Sequence, residues 1–88
     1  MKHLNIRVEG TVQGVWFRDS TRKKANELEI KGFARNEPDG SVYIEAEGTE
    51  ENLVKLVEWS QVGSERSTVT SVKQWDGKLQ YFEDFTIA

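Results

Sequence analysis

Cysteine is absent from the 88-residue sequence, which excludes disulfide frameworks, thiolate metal sites and cysteine nucleophiles together. Histidine occurs once, at His3, and no histidines or carboxylates cluster at ligand spacing, so metal-assisted hydrolysis has little to stand on. No metal and no cofactor are expected. An excess of positive charge is also missing: 12 Lys and Arg face 15 Asp and Glu, for a net charge of −3. That balance weighs against a nucleic-acid-binding domain, which usually carries a basic surplus. Nor is there a long apolar run. Met1 to Gly10 alternates polar and apolar residues, the opposite of a secretory leader or membrane-spanning segment. A cytoplasmic protein with no membrane partner is expected, built as one domain over residues 1–88.

What is present reads as alternating strands and helices. Leu4, Ile6 and Val8 alternate with Asn5, Arg7 and Glu9, the period of a half-buried strand. A glycine-bearing loop, Gly10 to Arg18, follows. Residues from about Asp19 to Glu29 favour helix, with Asp19 or Ser20 as cap and Thr21, Ala25 and Leu28 on one face. Gly32-Phe33-Ala34 forms a short strand before Glu37-Pro38-Asp39-Gly40, a turn whose only proline in the chain is preset for the first central position. Val42, Ile44 and Ala46 mark the returning strand, which leaves Tyr43, Glu45 and Glu47 facing outward. Thr49 opens a second helix, with Glu50 and Glu51 in the dipole-favoured first turn and Leu53, Leu56 and Val57 on its apolar face. Val69 to Trp75 and Tyr81 to Ile87 read as further strands around an Asp76-Gly77 turn. Phe17, Phe33, Trp59, Phe82 and Phe85 are expected in the core.

The order β-α-β-β-α-β, with an added C-terminal strand, predicts an α+β fold, the ferredoxin-like split β-α-β sandwich: an antiparallel sheet with two helices on one face. A right-handed crossover then makes the first two strands run the same way, with the third between them in the opposite sense. The loop leaving the first strand, Asn36 and Ser41 meet at one sheet edge. His3 lies at the other end of the first strand, on the order of 20 Å from the loop at ~3.3 Å per residue.

The loop GTVQGVWFR, residues 10 to 18, feeds the first helix. Successive N–H groups there can converge on an anion, helped by the helix dipole. Gly14 permits the positive φ such a curl needs, and Arg18 offers a planar fork of donors to phosphate oxygens. Each feature also has a plain structural reading. Arg18 could pair with Asp19 or Glu9, Asn36 could cap the turn that follows it, and Arg22-Lys23-Lys24 could be a solvated helix face.

GTVQGVWFR resembles the first signature of the acylphosphatase family, in which only the position of Trp16 varies freely. GFARNEPDGSVYIEAEG, residues 32 to 48, resembles the second, and the likeness extends over essentially the whole chain. The resemblance implies an enzyme that hydrolyses acyl phosphates to a carboxylate and inorganic phosphate, by direct in-line attack of water and without a covalent intermediate. It implies that Arg18 binds the phosphate, that Asn36 orients the water, and that the backbone amides of Gln13, Gly14, Val15, Trp16, Phe17 and Arg18 cradle the phosphate oxygens. A monomer is expected, with a small-molecule acyl phosphate as its partner. Two departures fall at the entry to the fourth strand: Ser64 stands where the family usually has proline, and Ser67 where alanine is common.

The chemistry agrees with that implication. Acyl phosphates leave as carboxylates, whose conjugate acids have pKa values of about 4, so no general acid is needed at neutral pH. Positioning and charge stabilisation remain. Two rivals use the same scaffold: a non-catalytic anion-binding or regulatory module, and an RNA-recognition domain, which needs exposed aromatics flanked by basic residues. The acidic outward positions Glu9, Glu45 and Glu47 argue against RNA.

Overall fold

The computed structural model describes residues 1–88. The chain forms β1 (Lys2–Thr11), α1 (Phe17–Glu27), β2 (Lys31–Asn36), β3 (Val42–Gly48), α2 (Glu50–Val62), β4 (Thr68–Gly77) and β5 (Phe85–Ile87). The strands make one sheet in the order β4-β1-β3-β2-β5. β3 therefore lies between β1 and β2, as the crossover rule requires. Pairing is antiparallel throughout except at the far edge, where β5 runs parallel to β2. The expected architecture holds, with a mixed rather than purely antiparallel sheet. No helix is long and apolar enough to cross a membrane.

Alternation on the strands decides which face the helices cover. Ile6, Val8, Ala34, Ile44 and Ala46 are buried beneath Phe17, Ala25, Leu53, Leu56 and Val57 from the two helices. Phe17 and Trp59 join α1 to α2, with ring centroids 5.5 Å apart. Thr49 caps α2 as expected, its hydroxyl accepting from the Asn52 amide at 3.2 Å.

The opposite face was expected to be solvated, and it is only partly so. Phe33 and Phe82 belong here rather than in the core beneath the helices, meeting edge to face at 5.8 Å. Glu47, expected to face outward, is 1% exposed. Its carboxylate accepts from the backbone amides of Gln80 and Phe82 and pairs with His3 Nδ1 at 2.7 Å. The cause is the segment between β4 and β5. The sequence predicts a turn at Asp76-Gly77 and a strand over Tyr81 to Ile87; Asp76 and Gly77 instead end β4, paired with Leu4 and His3, the chain then crosses the open face irregularly, and only Phe85–Ile87 pairs with the sheet. Burial raises the pKa of the Glu47 carboxyl, yet the Gln80 amide, His3 and the Phe82 amide together outweigh it and hold the group below its ordinary value.

Candidate active site

The β1–α1 loop is shaped by its exits. At Glu9/Gly10 the pairing of β1 with β4 shifts register, and Gly10 sits at φ 131 with its α-carbon pressed against the Thr68 carbonyl. No side chain fits there. Four residues on, Gly14 adopts φ 72 in open space, the left-handed conformation expected of it. The helix begins at Phe17, two residues earlier than its composition suggests, and neither Asp19 nor Ser20 caps it. Trp16 occupies the cap position in the left-handed region, φ 63 and ψ 17, with no side-chain cap. Asp19 lies inside the first turn and pairs with Arg22 and Lys23.

That start leaves the N-terminal amides of α1 without protein partners. Outside helices and strands, the only backbone bond in this region is donated by Ser20, to the Trp16 carbonyl at 3.0 Å. The N–H groups of residues 13–19 donate to nothing in the protein. They crowd into one short curl at the positive end of a helix dipole.

Two side chains brace the curl. Gln13 Nε2 donates to the carbonyls of Glu37 at 2.7 Å and Ser41 at 2.9 Å, which fastens the loop across the β2–β3 turn. Ser64 Oγ donates to the Val15 carbonyl at 3.0 Å, and Ser67 Oγ in turn donates to the Ser64 carbonyl at 2.7 Å. The two serine departures at the β4 entry therefore act on the loop itself. Neither tether was legible in the sequence, because both depend on which carbonyls the fold brings within reach.

Arg18 pairs with neither Asp19 nor Glu9, whose carboxylates are engaged by Arg22 and Lys23 and by Lys73. Its guanidinium Nη1 donates to the Ala88 carbonyl at 2.8 Å, while the Ala88 amide donates to the Ala34 carbonyl on β2 at 2.9 Å. One residue thus links the guanidinium to the strand that carries Asn36. The remaining donors of the fork point to no protein acceptor.

Asn36 ends β2 opposite Val42, and Val42 also faces Val8 on β1. The carboxamide therefore sits two strands across from β1, on the order of 10 Å, next to the Glu37 carbonyl that Gln13 grips. The turn that follows Asn36 is closed without its side chain. Asp39 Oδ1 accepts from the Ser41 amide and hydroxyl, and Gly40 donates to the Glu37 carbonyl. The Asn36 Oδ1 is buried and has no hydrogen-bond partner, an expensive state for an acceptor in a folded protein.

Beside the curl is a cavity of about 360 Å³ whose lining includes Val12, Gly14, Trp16, Arg18 and Ile87. No group of three or more His, Cys, Asp or Glu side chains is placed so that it could hold a metal ion. His3, the single histidine, is engaged with Glu45 and Glu47 at the far end of β1.

A two-helix, split β-α-β sandwich with a glycine-shaped loop and an arginine at a helix N-terminus defines a small α+β protein of the ferredoxin-like class. Comparison with known proteins narrows this. The acylphosphatase family model matches residues 4–87. The chain is 46% identical over 87 residues to the acylphosphatase of Thermotoga petrophila, covering 99% of this chain and 97% of the relative. It is 42% identical over 85 residues to that of Thiobacillus denitrificans, covering 94% and 96%. The crystal structure of acylphosphatase from Bacillus subtilis superimposes with a TM-score of 0.97 at 36% identity, covering 100% of this chain and 99% of that one. The chain belongs to the acylphosphatase family.

Proposed function

We propose that this protein hydrolyses acyl phosphates, with the phosphoryl group held in the curl of amides from Gln13 to Arg18. The observation that carries the reading is the set of N–H groups at the start of α1 that have no partner in the protein, placed beside an arginine with donors to spare. Oriented amides and a guanidinium together suit the oxygens of a dianionic phosphoryl group and the charge that spreads over them in the transition state.

Asn36 is the positioning group for water. Its carboxamide, which no protein group satisfies at Oδ1, holds the attacking water and aims a lone pair at phosphorus. The new P–O bond forms on that side while the bond from phosphorus to the acyl oxygen breaks on the other. The leaving group departs as a carboxylate, and both protons of the water finish on the phosphate product. No protein side chain has to supply or remove a proton for the reaction to balance. The residues beside the curl offer no thiol and no imidazole, so a phosphorylated side-chain intermediate has no nucleophile of those kinds to form on.

The test is benzoyl phosphate hydrolysed in water enriched in ¹⁸O. The label should appear in phosphate and not in benzoate, and Arg18→Ala should abolish most of the turnover. Label in benzoate, or an Arg18→Ala variant with undiminished activity, would overturn the reading. The competing view, a non-catalytic anion-binding module, predicts no benzoate release above background.

A further inference from the structure

The curl accounts for the phosphoryl group and leaves the acyl group without a binding site. Trp16 supplies the clue. Its side chain is 73% exposed, yet its backbone is held at φ 63 and ψ 17, a region that disfavours every residue with a β-carbon and suits glycine. A bulky aromatic in a strained, solvent-facing position gains nothing from core packing that would offset the strain. It lines the cavity beside the curl, together with Val12, Phe17 and Ile87 on the apolar side and Arg18 and Asp19 on the polar side. Val12 and Phe17 are each 1% exposed and form a fixed floor. Asp19 is already engaged by Arg22 and Lys23, so the cavity presents one cation free to meet an anion and an otherwise apolar wall. Arg18 belongs to this cavity whereas Asn36 does not line it. Gly14, Phe17 and Arg18 belong to both the curl and the cavity, so the cavity adjoins the phosphoryl position; in an in-line displacement the leaving group lies opposite the water, which gives the cavity's outer wall, Trp16 and Ile87, to the acyl end.

We propose that Trp16, backed by Ile87, is the specificity-determining wall for the acyl group, and that it favours acyl phosphates whose acyl portion is apolar or aromatic. This deepens the functional reading above and rests on it. The indole can stack on an aryl group or cover an alkyl chain.

The experiment compares kcat/KM for benzoyl phosphate and acetyl phosphate in the wild type, Trp16→Gly and Trp16→Phe. Glycine keeps the backbone amide and removes the strain, so this variant folds, and its thermal midpoint should not fall. An aromatic contact of ordinary strength corresponds to about a three- to tenfold preference. The benzoyl-to-acetyl ratio should therefore drop about that much in Trp16→Gly and recover in Trp16→Phe. A ratio unchanged by Trp16→Gly, with both substrates hydrolysed, would overturn this inference alone. A wild-type protein that hydrolyses neither substrate would overturn it together with the proposed function.

Discussion

Gln13 grips the turn that follows Asn36: its Nε2 lies 2.7 Å from the Glu37 carbonyl. This bond and its companion to Ser41 tie the loop at the end of β1 to the hairpin carrying Asn36. The distance between the amide curl and the carboxamide is then fixed by a side chain that need not touch substrate.

Replacing Gln13 should accordingly damage both stability and turnover. Gln13→Ala removes two side-chain bonds from carbonyls that keep backbone donors, Glu37 from Gly40 and Ser41 from Glu37, so the loss is about 0.5–1.5 kcal/mol for each bond, visible in urea denaturation. Gln13→Glu should be worse than Gln13→Ala, because a carboxylate would face the same two acceptors. An unchanged midpoint in both variants would show that the tether carries no strain-bearing role.

Arg18 and Asn36 should separate in their kinetics. Loss of a preorganised donor costs ~10²–10³ in rate, and Arg18→Ala should exceed this because anchoring and charge stabilisation go together. Arg18→Lys should rescue little, since an ammonium cannot reproduce the planar fork or keep its bond to Ala88 while also meeting phosphate. Asn36→Ala should lower kcat with little change in affinity for inorganic phosphate as a competitive inhibitor. Weakened phosphate inhibition in Asn36→Ala would move that residue from water positioning to anion binding.

Ser64 offers a test remote from the reacting atoms. Ser64→Ala removes the hydroxyl that holds the Val15 carbonyl, with an expected cost of about 1 kcal/mol and a modest rise in KM as the curl loosens. Ser67→Ala removes only the brace behind it and should cost less. Equal KM values for Ser64→Ala and the wild type would confine Ser64 to local packing.

Glu47 should govern part of the acid unfolding limb. Its carboxyl pKa is depressed in the folded state from the ordinary 4.5, against the upward pull of burial, by the Gln80 amide, His3 and the Phe82 amide. A depressed folded pKa means the unfolded chain binds the proton more readily. The stabilisation is complete above about the ordinary value of 4.5 and is lost as pH falls from there through the lower folded pKa. Glu47→Gln should flatten stability against pH across that acidic window and lower stability at neutral pH. An unaltered acid limb in Glu47→Gln, followed by circular dichroism, would place the proton uptake elsewhere.

Much of this was legible in one dimension because it depends on neighbours in sequence. The alternation at Leu4-Ile6-Val8 and Val42-Ile44-Ala46 gives the strands their buried face, the Glu37–Gly40 composition gives the turn, and Thr49 gives the second helix its cap. Gly14 announced its positive φ, and the loop into α1 announced a cluster of unpaired amides. The start of α1 departs from the expected one for a physical reason. Asp19 and Ser20 are good caps in isolation, but the Phe17 ring is drawn into the core against Trp59, which pulls the helix start back and forces Trp16 into the left-handed region. Phe33, Phe82 and Glu47 depart from their expected positions for a related reason: strand periodicity assigns a residue to a face, but says nothing about what later chain will lie across that face.

The sequence by itself determined the order of elements, the choice of core face on β1 and β3, and the presence of an anion-suited loop ending in Arg18, since these follow from local geometry and side-chain chemistry. The tertiary structure alone decided that Ala88 would hold Arg18, that Gln13 and Ser64 would clamp the loop, and that Asn36 would stand with an unpartnered buried oxygen. Those contacts join residues from 24 to 70 positions apart. Their existence depends on where the sheet registers and the irregular Lys78–Asp84 crossing bring backbone carbonyls, and no local pattern in the chain encodes that.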